Sequence, residues 1–248
     1  MASQADFLAP SPAPRVPALD AESAFFARYA TGLALFIVFG FAQFELRGLA
    51  PFGRFGWEIH AHAAAMTGWL ALSVAQPWLA ASGNRALHRR LGWIAVTLLG
   101  IIPIVGSLAG VAALRDGIVP PFFTPAYFLA LVHVGVLSFT AMVIAAVVLR
   151  RRSDWHRRLM LGSTVLILEP AFGRLLPMPL LGNWGEWVAM AGQLGALGFL
   201  VRHDRRSRGQ VHPATLIVAG AVVAVHVAIE LLAVSAPVRG LAASIAAG

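Results

Sequence analysis

PFFTPAYFLALVHVGVLSFTAMVIAAVVL, residues 121–149, runs without an Asp, Glu, Lys or Arg, and RRRSDWHRRL, residues 150–159, follows at once. An apolar run longer than about 20 residues reaches the length a helix needs to cross a hydrocarbon core of about 30 Å. Its halt on three arginines is how such a helix ends at a charged interface. One histidine, His133, lies inside the run.

Six further apolar segments flank this one, at 25–46, 57–81, 89–114, 157–176, 184–201 and 212–235, joined by short polar or Pro/Gly-containing loops. The chain is 58% hydrophobic and 12% charged, with a mean hydropathy of +0.76. A soluble domain would carry roughly a quarter charged residues. The expected fold class is an all-α integral membrane protein, with seven transmembrane helices in one domain over 25–235. Residues 1–24 are Ala/Pro-rich and read as a disordered tail without the pattern of a cleaved signal. Residues 236–248 read as a short C-terminal tail. Pro103 and Pro170 are expected to kink their helices, and Gly106 with Gly110 forms a small-xxx-small pair that lets helices approach closely.

All 19 basic residues are arginine, and the net charge is +8. If the segments alternate in direction, fourteen of them fall on the side of the N-terminus and five on the other. The positive-inside rule then places the N-terminus in the cytoplasm and the C-terminus outside a bacterial inner membrane. In that setting the arginines serve topology and anionic headgroups rather than nucleic acid. The seven tryptophans, mostly near segment ends, read as an aromatic belt. Cysteine is absent, which excludes thiolate-bound zinc, iron–sulfur clusters and covalently attached haem.

Two stretches resemble each other: Leu87-His88-Arg89-Arg90-Leu91 and Trp155-His156-Arg157-Arg158-Leu159. Each His-Arg-Arg-Leu stands at the basic start of a segment, and each follows a histidine in the preceding segment, His62 or His133. The unit therefore occurs twice, over 57–114 and 121–176, and builds a four-helix core from two helix-pair repeats. Repeat interfaces in membrane proteins often hold functional sites. Parallel segments place His62 and His133 in the outer half and His88 and His156 at the cytoplasmic boundary, about 25–30 Å away at 1.5 Å per residue. Facing helices of a bundle can each supply one axial ligand to a flat cofactor.

This arrangement resembles the ascorbate-reducible di-haem transmembrane b-type cytochromes, and the His-Arg-Arg-Leu motifs resemble a group of uncharacterised bacterial multi-pass membrane proteins. The resemblance covers residues 57–176. It implies one or two b haems, held by His62 with His133 and by His88 with His156, in a membrane electron-transfer protein whose partner is a quinone or a redox protein. Read without it, His88 and His156 equally suit an interfacial cluster that binds lipid phosphates or pairs with Asp154. The outer pair is the better placed to ligate, because ionisable groups within a membrane tend to mark sites. His60, about 200° around the helix from His62, reads as a spectator, and His203 and His212 as solvated loop residues.

Carboxylates supply a second reading. Glu169 precedes Pro170 near mid-membrane, with Arg174 as its nearest expected partner, and Glu230 lies four residues from His226. Glu58 and Glu186 mark outer helix ends. His62, His133, Glu169, His226 and Glu230 together suggest an outer-half cluster able to bind a divalent metal or relay protons. A third reading is an accessory or scaffold subunit of a larger membrane complex or oligomer. No nucleophile elbow, phosphate-cradling loop or paired-acid hydrolase pattern stands out.

Overall fold

The computed structural model of the chain describes residues 21–50, 53 and 55–248. Among these, ten α-helices and one 3-10 turn account for the regular structure, with no strand. The helices are α1 (Ala21–Leu46), α2 (Trp57–Ala81), α3 (Arg85–Arg115), α4 (Pro125–Val148), α5 (Ser153–Leu166), α6 (Glu169–Leu175), α7 (Met178–Leu181), α8 (Gly185–Arg208), α9 (Pro213–Ala233) and α10 (Ala236–Ala246). Four of them, α1, α3, α4 and α9, are long and apolar enough to cross a membrane. α2 and α8 match these in length but are not apolar enough by the same measure.

Local chemistry sets the helix ends. Thr124 caps α4 by accepting the Tyr127 N–H at 3.1 Å, with Pro125 in the first turn. Asn84 caps α3 by accepting the Leu87 N–H at 3.1 Å. α8 stops at Gly209, whose φ of 75° is a left-handed C-cap that glycine adopts without a steric cost.

Four boundaries differ from the sequence reading. α1 is already helical at Ala21, so 21–24 belong to the helix; the rest of the expected tail, with Arg15, and Arg54 in the first interhelix loop, lie outside the described residues. The expected segment at 157–176 is two helices. Pro170 has no N–H for the Leu166 carbonyl, and the chain breaks across Ile167 and Leu168. α8 extends to Arg208, through the stretch read as a solvated loop. The expected C-terminal tail is α10, which packs on α3 and α4 and buries Ala242 with Leu114 and Leu129. Pro103 does not interrupt α3.

Helix α2 packs on α3, α3 on α4 and α4 on α5, and α5 touches α2. These four share a core of Ala65, Trp69, Ile102, Phe139 and Val143, flanked by Met160 and Ile167. At its centre Trp69 meets Phe139 edge to face, with ring centroids 5.0 Å apart, so α2 reaches α4 across the group. Close approach depends on glycine: a Cβ at Gly110 would fall 2.7 Å from a Val132 methyl, and one at Gly106 would fall 3.1 Å from a Val136 methyl. A second core, built by α1, α4, α5, α6, α8 and α9, holds α1, α6, α8 and α9 against this group.

Candidate functional site

The two His-Arg-Arg-Leu histidines make the same contact. His88 Nδ1 lies 3.2 Å from the Gln76 carbonyl of α2, and the Gln76 amide donates in return to the His88 carbonyl at 3.1 Å. His156 Nδ1 lies 2.8 Å from the Ala146 carbonyl of α4. A carbonyl only accepts, so Nδ1 carries the proton in both rings and a neutral ring presents its lone pair at Nε2. That is the orientation in which a protein holds a metal-ligating imidazole. His88 and His156 also lie within electrostatic range of each other. At each motif, then, the short interhelix loop folds the histidine back onto the last turns of the preceding helix.

The upstream histidines are less alike. His133 Nδ1 donates to the Leu129 carbonyl of its own helix at 2.9 Å, which also leaves Nε2 as the lone-pair nitrogen. His62 lies against α3, with Nδ1 3.3 Å from where a Gly106 Cβ would stand, and that nitrogen is buried without a hydrogen-bond partner. The inner pair, not the outer, is thus the one that hydrogen bonds orient alike. Because the loops fold back, the tiers are also closer than expected. His62 to Gln76 along α2 and His133 to Ala146 along α4 both correspond to about 20 Å. Trp69 and Phe139 sit midway, about 10 Å from either tier. His60 is exposed.

The arginines of the two repeats part company. Arg89 and Arg90 are exposed on α3, as an interfacial role requires. Arg158 instead is wholly buried, and its Nε donates to Asp204 Oδ1 at 2.9 Å while Nη1 donates to the Asp154 carbonyl. Asp204 Oδ2 accepts from the Thr215 hydroxyl and from the His212 N–H. His212 caps α9 by accepting the Ala214 N–H at Nδ1, which places its own proton on Nε2, 3.1 Å from Asp154 Oδ2. Arg157 pairs with Glu22 at 2.7 Å and covers the Phe26 ring. This network joins α1, α5, α8 and α9. It corrects two expectations: His212 is 4% exposed rather than solvated, and Asp154 pairs with His212 rather than with His156. His203, also read as solvated, stacks on Phe25 at 3.7 Å.

A third polar group lies toward the opposite end. Gln193 Nε2 donates to the Val165 and Leu166 carbonyls at 3.0 and 3.1 Å, supplying the donor that Pro170 lacks. Its Oε1 accepts from His226 Nε2 at 2.7 Å, so His226 turns to Gln193. Glu186 lies in electrostatic reach of Glu169 and of Glu230, and Tyr127 in reach of all three. Glu186 is 7% exposed, and both carboxylate oxygens lack a hydrogen-bond partner. Arg174, in range of Glu169, donates to the Pro170 carbonyl and lies 4.0 Å over the Phe41 ring.

The five-residue set His62, His133, Glu169, His226 and Glu230 does not close as one metal centre. Among the described residues no three His, Cys, Asp or Glu side chains are grouped to hold an ion. His62 and His133 belong to the α2–α4 group, whereas His226 is held by Gln193 on α8. The residues that sequence reasoning missed are Gln193 and Asp204; Glu186 was read only as the mark of an outer helix end. The proline that breaks α5 from α6 was the one available signal for the first; nothing local marked Asp204.

The chain matches no protein-family model, no curated protein and no solved structure.

Proposed function

We propose that the chain is a seven-span membrane protein that binds b-type haem and carries electrons across the bilayer. The spans are residues 25–46, 57–81, 89–114, 121–149, 157–176, 184–201 and 212–235, carried by α1, α2, α3, α4, α5 with α6, α8 and α9, and α2–α5 form two helix-pair repeats. The N-terminus faces the cytoplasm of a bacterial inner membrane, by the arginine asymmetry, and a quinone or a redox protein exchanges electrons with the site. The observation that carries this reading is the shared clasp, in which Gln76 and Ala146 carbonyls engage Nδ1 of His88 and His156 and leave Nε2 as the lone-pair nitrogen.

His88 and His156 would hold the inner haem, with His62 and His133 as the outer ligand pair. A haem bound there supplies a one-electron couple. The chain's own contribution is orientation: backbone carbonyls fix the inner rings and His133, and the Trp69–Phe139 core keeps water from the centre. Protein purified from haem-replete cells should show a Soret band that shifts on dithionite reduction. His88→Ala and His156→Ala should each remove the same haem, while His133→Ala removes the other. A colourless preparation overturns the reading.

A second reading draws on Glu186, a buried carboxylate whose two oxygens have no donor. A charge in that state is costly within a membrane, so the Glu169, Glu186 and Glu230 group suits a proton taken up and released during transport. Glu186→Gln then blocks pH-dependent flux in proteoliposomes and leaves haem absorbance unchanged; unaltered flux removes this reading.

A further inference from the structure

A groove of about 540 Å³ runs between α4, α5 and α9. Its α4 wall is Val134, Ser138, Ala141, Met142, Ala145 and Leu149, and its α9 wall is Ile217, Ala221, Ala224, Val225 and Ala228. Both walls follow the i, i+4, i+7, i+8 spacing of a single helix face. Alanine predominates, so the two helices leave a trough between them. The α4 wall extends about 22 Å at 1.5 Å per residue. One leaflet offers about 15 Å of hydrocarbon depth, half of a 30 Å core. The trough is therefore long enough for a lipid tail.

One end of the groove is charged. Leu149 and Trp155 line its mouth, and the chain between them carries Arg150, Arg151 and Arg152, all exposed. Arg150 donates to the Val147 carbonyl, which holds its guanidinium at the end of α4. The acidic group at this mouth, Asp154, is engaged by His212, and Arg157 by Glu22. Among the described residues, three cations thus stand unbalanced over an apolar slot with a tryptophan at its rim. Basic residues beside a span attract anionic headgroups, and tryptophan favours the headgroup level.

We infer that this groove binds one acyl chain of an anionic phospholipid, whose phosphate is received by Arg150, Arg151 and Arg152. Apolar length fixes the tail and the arginines select the headgroup. A neutral or zwitterionic lipid with the same tails fills the slot but gains little from the mouth.

The test uses the full chain in mild detergent, titrated with phosphatidylglycerol, with phosphatidylcholine of identical tails, with glycerol 3-phosphate and with an isoprenoid quinone, while thermal unfolding is followed. Phosphatidylglycerol should bind about tenfold to a hundredfold more tightly than phosphatidylcholine, and high salt should shrink that ratio. Glycerol 3-phosphate should give no shift. Ala221→Phe, which fills the slot, should abolish the response to phosphatidylglycerol. Changing Arg150, Arg151 and Arg152 together to Gln should make the two phospholipids equivalent. Equal binding of both lipids by the unaltered chain overturns the proposal, as does a quinone response as strong as that to phosphatidylglycerol. So does conversion of a dimer to monomers by Ala221→Phe, which would make the groove an interface between copies. Should Ala221→Phe fail to fold, the lipid comparison and the arginine variant still decide.

Discussion

Arg158 and Asp204 meet with neither side chain exposed to solvent, and every guanidinium nitrogen of Arg158 has an acceptor within the chain. Removing one partner of such a pair strands the other. Asp204→Ala should therefore cost about 3–5 kcal/mol, because it orphans Arg158 and also strips Thr215 and the His212 amide of their acceptor. Arg158→Met combined with Asp204→Leu should recover most of that loss. Thermal unfolding of the three variants in detergent checks the order; an Asp204→Ala protein as stable as the parent removes the assignment.

The same network sets an acid limit. Burial pushes the Asp204 carboxyl up, but hydrogen bonds from Arg158, Thr215 and the His212 amide outweigh it and hold Asp204 below the usual carboxylate range. At Asp154 burial likewise opposes, and the contacts from His212 together with the Trp155 and Asp154 N–H groups outweigh it and hold the carboxyl low. A depressed folded-state value contributes stability that is complete above the unfolded value near 4 and is lost as pH falls through the folded one. Unfolding midpoints should thus hold steady between about pH 7 and 5 on account of these groups and drop below about 4. In Asp204→Asn the acid-side drop should be shallower.

Gln193 stands in for the N–H that Pro170 lacks. Gln193→Leu leaves the Leu166 carbonyl and His226 Nε2 buried without partners, at about 1–3 kcal/mol for each stranded group. Pro170→Ala in the same chain restores a donor for the Leu166 carbonyl, so the double variant should be more stable than Gln193→Leu alone. Hydrogen exchange across 163–172 would register the change, and identical protection in both variants counts against the account.

Gly162 on α5 faces Val218 on α9, and a Cβ there would fall on a Val218 methyl. Valine is stiff at χ1 and yields little. Gly162→Ala should cost about 1–3 kcal/mol by overpacking, and Val218→Ala in the same chain should return part of it. The midpoint of unfolding reports both.

Much of this molecule is readable without coordinates, for a reason that is local. Apolar length and the short polar or Pro/Gly-containing loops that bound it act within a few residues of one another, so α2, α4 and α9 begin and end close to where their sequence places them. The Pro170 break had a local cause as well, yet its completion by Gln193 did not, since the donor comes from another helix. His88 and His156 hold the same place in a repeated motif, and each meets a backbone carbonyl of the preceding helix through Nδ1. Sequence could not distinguish Arg90 from Arg158, which hold the same place in the two motifs. One is exposed and the other buried because Asp204 and Thr215 arrive from α8 and α9 only over the second repeat. Composition and periodicity determined the helices and the histidine pattern. Which polar groups are shielded, paired or left without a partner was decided by tertiary packing, because burial depends on residues distant in the chain.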